Sequence, residues 1–175
     1  MIYEFCAENV TLLEKAMQAG ARRIELCDNL AVGGTTPSYG VTKAAVELAA
    51  NYDTTIMTMI RPRGGDFVYN DLEIAIMLED IRLTAQAGSQ GVVFGALTAE
   101  KKLDKPNLEK LIAASKGMEI VFHMAFDELS EEDQLEAIDW LSQAGVTRIL
   151  TRAGVSGDSL EKRFAHYHRI LEHAK

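Results

Sequence analysis

Six times along this chain a short strand-like run gives way to a longer run with helical periodicity, and no two strand-like runs are neighbours. That alternation is the tightest constraint the sequence carries. A tight turn can join two antiparallel strands, whereas a helix between strands makes a crossover and a parallel pair. Such crossovers are almost always right-handed, so few topologies remain. The predicted strands are Ile2–Ala7, Arg23–Cys27, Thr54–Ile60, Gly91–Gly95, Glu119–His123 and Arg148–Thr151. The first predicted helix runs from an Asn9 N-cap to a stop at Gly20, and the second covers Thr42–Asn51. The others are Asn70–Ala87, Asn107–Lys116 after Pro106, Glu131–Ala144 with an acidic first turn, and Ser159–Ala174. In the third helix, Leu72, Ile76, Leu78, Ile81 and Leu83 are the expected core positions.

Two architectures fit six β-α units: an open doubly wound sheet and a (β/α)8 barrel. Central strands of an open sheet are apolar on both faces. Here Glu4, Glu25, Met57, Met59 and Arg61 alternate along three successive strands, which suits the interior of a barrel. The expectation is therefore an α/β protein, a (β/α)8 TIM barrel, with 1–175 as a single domain. Such a barrel typically takes about 250 residues. Six units leave it open, so two further units or a partner chain are expected to cover the edges of strands one and six.

The net charge of −8 argues against nucleic acid, because binding phosphates requires a basic surface. No stretch approaches the roughly 18 apolar residues of a membrane span. The N-terminus shows no basic start followed by an apolar core, the mark of a signal peptide. Two cysteines do not make a disulfide framework, so a reduced, cytoplasmic protein is expected.

In parallel barrels, chemistry gathers at the C-terminal ends of the strands. The polar residues assigned there are Glu4, Cys6, Glu25, Cys27, Asp28, Arg61, Arg63, Asp66, His123, Asp127, Thr151 and Arg152. Glu-x-Cys occurs twice, at Glu4/Cys6 and Glu25/Cys27, and uses both cysteines of the chain. If Cys6 and Cys27 occupy equivalent positions on adjacent strands, two thiolates converge, a donor set suited to Cu(I). Zn(II) prefers four ligands, and no C-x-x-C or spaced histidine set supplies them. The competing reading makes both thiols small apolar side chains near a barrel rim.

An enzymatic reading uses the same strand ends. Glu4 and Glu25 could form a carboxylate pair in which crowding keeps one protonated, giving a general acid and a general base. Arg61 and Arg63 could hold a small anionic substrate, and His123 and Asp127 complete the catalytic candidates. Alternatively, these charges form a structural Glu–Arg network inside the barrel. Gly33-Gly34 and Gly64-Gly65 match no nucleotide fingerprint and read as rim turns. His166, His168 and His173 read as a solvated face of the last helix.

The blocks ELCDNLAVGGTTPSYG, IRPRGGDFVYND, GVVFGALT and FHMAFDE resemble, in this order, the signature blocks of the CutC copper homeostasis family. The resemblance covers essentially the whole chain. It implies a cytoplasmic (β/α)8 barrel, a homodimer or higher homo-oligomer, continuing beyond residue 175. It also implies Cu(I) binding, with Cys6 and Cys27 as the ligands, and an enzyme-like pocket around Glu4, Glu25, Arg61, His123 and Asp127. One departure is visible: the family's usual F-H-R-A-F-D reads F-H-M-A-F-D here, so Met124 removes a positive charge from the rim.

Overall fold

The structure, a computed structural model, describes residues 2–154 and 157–174. Its strands are β1 (Glu4–Glu8), β2 (Arg23–Cys27), β3 (Thr55–Met59), β4 (Gly91–Phe94), β5 (Glu119–Phe122) and β6 (Arg148–Ile149). The helices are α1 (Leu13–Gln18), α2 (Tyr39–Ala49), α3 (Asp71–Ala87), α4 (Lys105–Ala114), α5 (Glu131–Gln143) and α6 (Leu160–His173). The strands pair in chain order, β1-β2-β3-β4-β5-β6, and every pairing is parallel. The sheet curls into a half-barrel with its helices outside, six units of the expected architecture. Among the described residues β1 and β6 are its two edges and do not pair.

The period of two sorts the side chains. Ile24, Leu26 and Ile56 point outward into a core shared with Leu13, Met17, Ala45 and Ala49 of α1 and α2. Val92, Phe94, Ile120 and Phe122 do the same against Ile81, Leu108, Leu111 and Leu141 of α3 to α5. The inward residues Cys27, Met57, Met59, Val93 and Val121 form a separate small cluster inside the curl, joined by Leu150. Each fully buried leucine or isoleucine contributes roughly 1.5–3 kcal/mol, so the two outer cores hold most of the helix–sheet packing.

Helix ends follow their capping residues. Asn70 and Glu73 form a reciprocal capping box at the start of α3, and Gly88, at φ 88°, ends it. The buried stripe of α3 is Ile74, Met77, Ile81 and Thr84. Of the predicted core positions only Ile81 is fully buried; Leu78 packs at the margin, while Leu72 is 70% exposed and Ile76 42%. Both phases are apolar enough to be buried, and the position of the sheet selects one. Asn9 does not cap α1. It takes a left-handed conformation at φ 59°, its side chain accepts the next backbone N–H, and the helix begins only at Leu13.

β6 is shorter than predicted because Thr151 leaves the ladder and donates to Asp127. His166 is buried rather than solvated: its Nε2 lies 2.6 Å from Gln134 Oε1, tying α6 to α5. His173 does lie on the surface, 3.0 Å from Asp139. No helix among the described residues is long and apolar enough to cross a membrane.

Candidate functional site

Strand register decides which inward residues meet. β1 and β2 are paired so that Cys6 stands opposite Glu25 and Cys27 opposite Glu8. The two cysteines are therefore two residues out of step, not at equivalent positions, because the parallel pairing is staggered relative to the two Glu-x-Cys copies. They still share the inner face, and Glu25 lies between them. Its Oε1 is 3.6 Å from Cys27 Sγ and 3.9 Å from Cys6 Sγ, and one ligand atom from each of the three lies within 4.8 Å of the others.

Burial differs sharply within this trio. Cys6 is exposed at the open β1 edge, while Cys27 and Glu25 are buried. Gly34, at φ 88°, brings the backbone so close that a Cβ there would stand 3.1 Å from Cys27 Sγ. Burial, then the charge of Glu4, pushes the Glu25 carboxyl up to about 7. The neighbouring Cys27 sulfur pulls the Cys6 thiol down, while the Cys6 sulfur and then burial push the Cys27 thiol upward.

Glu4 lies elsewhere than expected. It stands at the N-terminal end of its strand, opposite Arg23, whose Nε is 2.6 Å from it. Arg23 also reaches Glu119 at 3.1 Å, and Arg148 joins Glu119 at 3.7 Å. The expected Glu–Arg network inside the curl therefore exists, but it is built at the strand starts from Arg23 and Arg148. Glu4 acts on Glu25 through its charge while its own carboxylate is held by Arg23.

At the C-terminal end of the sheet a cavity of about 360 Å³ opens. Glu25 and Met59 line its base, and Arg61, Phe67, His123, Met124, Glu128, Leu150 and Arg152 line its walls. Arg61 and His123 thus meet Glu25 in one cavity. Arg61 is also a loop clamp: Nη1 donates to Val32 O and Gly34 O, and Nη2 to Gly65 O. His123 caps the turn Met124–Glu128, its Nδ1 accepting the Ala125 N–H. A Cβ on Gly95 would come within 2.7 Å of that ring, so glycine there makes room for it. Burial, then the nearby Arg61, holds the His123 pKa down to about 3, so the imidazole is neutral.

The remaining candidates support the rim. Asp127 is buried, accepts from Thr151 Oγ1 and the Arg152 N–H, and does not line the cavity. Arg63 is committed to Glu73, Asp66 and the carbonyl of Val68, fixing the β3–α3 loop. Asp28 bridges to Thr35 across the long loop after β2. Phe67, Glu128 and Leu150 were not anticipated as site residues. Phe67 sits within the quoted IRPRGGDFVYND block, the one signal that could have marked it.

The CutC family model matches residues 1–173. A CutC family protein of Enterococcus faecalis is 51% identical over 174 residues, 99% of this chain and 83% of that protein. The crystal structure of CutC from Streptococcus agalactiae, named there as a candidate copper homeostasis protein, superposes with a TM-score of 0.95 at 45% identity. That match covers 99% of this chain and 83% of the other. An archaeal fructose 1,6-bisphosphate aldolase superposes at TM-score 0.60 over 91% of this chain and 62% of its own. At 16% identity it speaks for the barrel fold alone.

Proposed function

The chain belongs to the CutC family, and on that premise we propose that it binds Cu(I) as cargo through Cys6 and Cys27. The observation that carries this reading is the convergence of Cys6, Glu25 and Cys27 within 4.8 Å. Thiolate–metal bonds are about 2.3 Å, so a linear two-sulfur site spans about 4.6 Å. Soft sulfur donors at that span favour Cu(I) over harder divalent ions.

The stagger adds a second reason. Diagonal neighbours on adjacent strands have Cα atoms about 7–8 Å apart, beyond the usual reach of a disulfide. The pair is thus held close enough to share an ion and too far apart to close on itself. Glu25 hydrogen-bonds both sulfurs, and its carboxyl can take up the proton that Cys27 releases when metal binds. Cys6, exposed at the sheet edge, is the entry ligand.

A reducing, cytoplasmic setting agrees with two free thiols. We also propose that the half-barrel is one domain completed by further β-α structure or by a second copy of the chain. Tyr3 on the β1 side is 69% exposed and Leu160 on α6 71%, apolar surface that barrel closure would cover. Size measurement of the purified chain distinguishes a monomer from an oligomer.

The copper reading is tested by titrating Cu(I) into the protein against a competing chelator, with Zn(II) run in parallel. Equimolar Cu(I) binding that is lost in the Cys6→Ser/Cys27→Ser double variant is the expected result. Unchanged affinity in that variant, or Zn(II) binding more tightly than Cu(I), overturns it.

A further inference from the structure

Arg61 is 4% exposed and has no ion-paired carboxylate among the described residues. Its three hydrogen bonds go to the neutral carbonyls of Val32, Gly34 and Gly65. Carbonyl dipoles solvate a guanidinium but bring no opposite charge, and a buried unpaired charge is costly. Its Nε–H is buried without a well-formed hydrogen bond, the buried Tyr69 hydroxyl being the nearby polar group.

His123, 3% exposed on the same cavity wall, repeats the pattern. Its Nδ1 accepts the Ala125 N–H, so the proton of the neutral imidazole is on Nε2. That Nε2 is also buried without a protein acceptor. Both groups lie against one ring: the Phe67 centroid is 4.8 Å from the imidazole centroid and 5.0 Å from the Arg61 guanidinium carbon. Phe67 is half-buried and lines the same cavity as both groups.

The other ionisable groups around the cavity are engaged elsewhere, Glu25 at its base accepting from the two thiols. Arg152 faces Asp127 at 3.6 Å, Glu128 pairs with Lys101 at 3.0 Å, and Met124 contributes none. A buried guanidinium without an ion pair and two N–H donors therefore remain, in a space of about 360 Å³, the size of a small-metabolite pocket.

We propose that the mouth of the half-barrel is a binding site for a small organic monocarboxylate, whose oxygens accept the N–H groups of Arg61 Nε and His123 Nε2. A water molecule could satisfy either donor but not the charge; a carboxylate satisfies both. A single cation favours a monoanion over a phosphate dianion. Arg61 and His123 do not touch the two sulfurs, although Glu25 at the cavity base does, so carboxylate binding is tested apart from Cu(I) binding in the Cys6→Ser/Cys27→Ser variant.

The test is calorimetric titration and thermal melting of the metal-free protein with acetate and pyruvate, with inorganic phosphate and chloride as comparison anions. Saturable carboxylate binding is expected in the wild type and in Cys6→Ser/Cys27→Ser. His123→Gln, whose amide keeps a donor near the Nε2 position, should retain it, and His123→Phe should lose about tenfold in affinity, the value of one charge-assisted hydrogen bond. Melting without ligand confirms that each variant is folded. Absence of saturable binding by either carboxylate in the wild type, equal binding by folded His123→Phe, or tighter binding of phosphate overturns the proposal.

Discussion

Cys6 is paired with Glu25 in the β1–β2 ladder, not with Cys27, so a carboxyl group sits between the two sulfurs. This two-residue stagger governs how the thiols behave. Cys6 stands open at the sheet edge while Cys27 lies beneath the Gly34 backbone. In the native protein one thiol should react rapidly with a disulfide reagent such as DTNB and the other only upon unfolding. Mild oxidation should leave the native pair unbridged, because the diagonal Cα spacing exceeds disulfide geometry. Thiol counting with and without urea, followed by mass spectrometry after oxidation, checks both. Rapid intramolecular disulfide formation in the folded chain would count against the stagger.

Glu25 should impose a pH dependence opposite to that of a salt-bridged carboxylate. Its folded pKa is raised to about 7 by burial and by Glu4, whereas unfolded it ionises near the ordinary value of 4.5. Between these values the unfolded chain has released a proton that the native state retains. The resulting stability is full below pH 4.5 and is lost as pH rises through 7. A shift of this size corresponds to roughly 3 kcal/mol. Glu25→Gln should flatten this part of the profile and be more stable than wild type at pH 8. Urea melts at intervals from pH 4.5 to 8 provide the measurement, and parallel profiles for the two proteins would refute the assignment.

Arg61→Ala should loosen two loops together. It leaves Val32 O, Gly34 O and Gly65 O without their charged donor, and bonds to charged groups are worth about 1.5–3 kcal/mol each before relaxation and solvation reduce the total. A net loss of about 2–4 kcal/mol in urea stability is expected. Limited proteolysis should show new cleavage both near residues 30–36 and near 64–66. Cleavage in only one of these segments would mean that Arg61 does not link them.

How much of this could be read from the sequence depended on whether the deciding force was local. The six strands and six helices were legible because periodicity, capping residues and glycine stops act within a few positions. Asn70 and Gly88 bound α3 as their chemistry dictates. The burial phase of α3 was not legible, since Leu72 and Ile76 are as apolar as the residues that are buried, and only the neighbouring sheet chooses between the two stripes. The turn residues misled once, at Asn9, whose preference for a left-handed conformation won over its capping role.

The same division runs through the candidate site. By itself the sequence determined that Glu25, Cys27, Arg61 and His123 fall on inward positions at strand ends, because alternation along a strand is fixed by its pleat. It also carried the family, through blocks whose order survives along the whole chain. Only the tertiary structure decided that Cys6 meets Glu25, that Glu4 is held by Arg23 at the other end of the strands, and that Arg61 is buried without an ion pair. Register between strands, and the path of loops over a strand end, are set by packing between segments distant in the chain, and no local pattern encodes them.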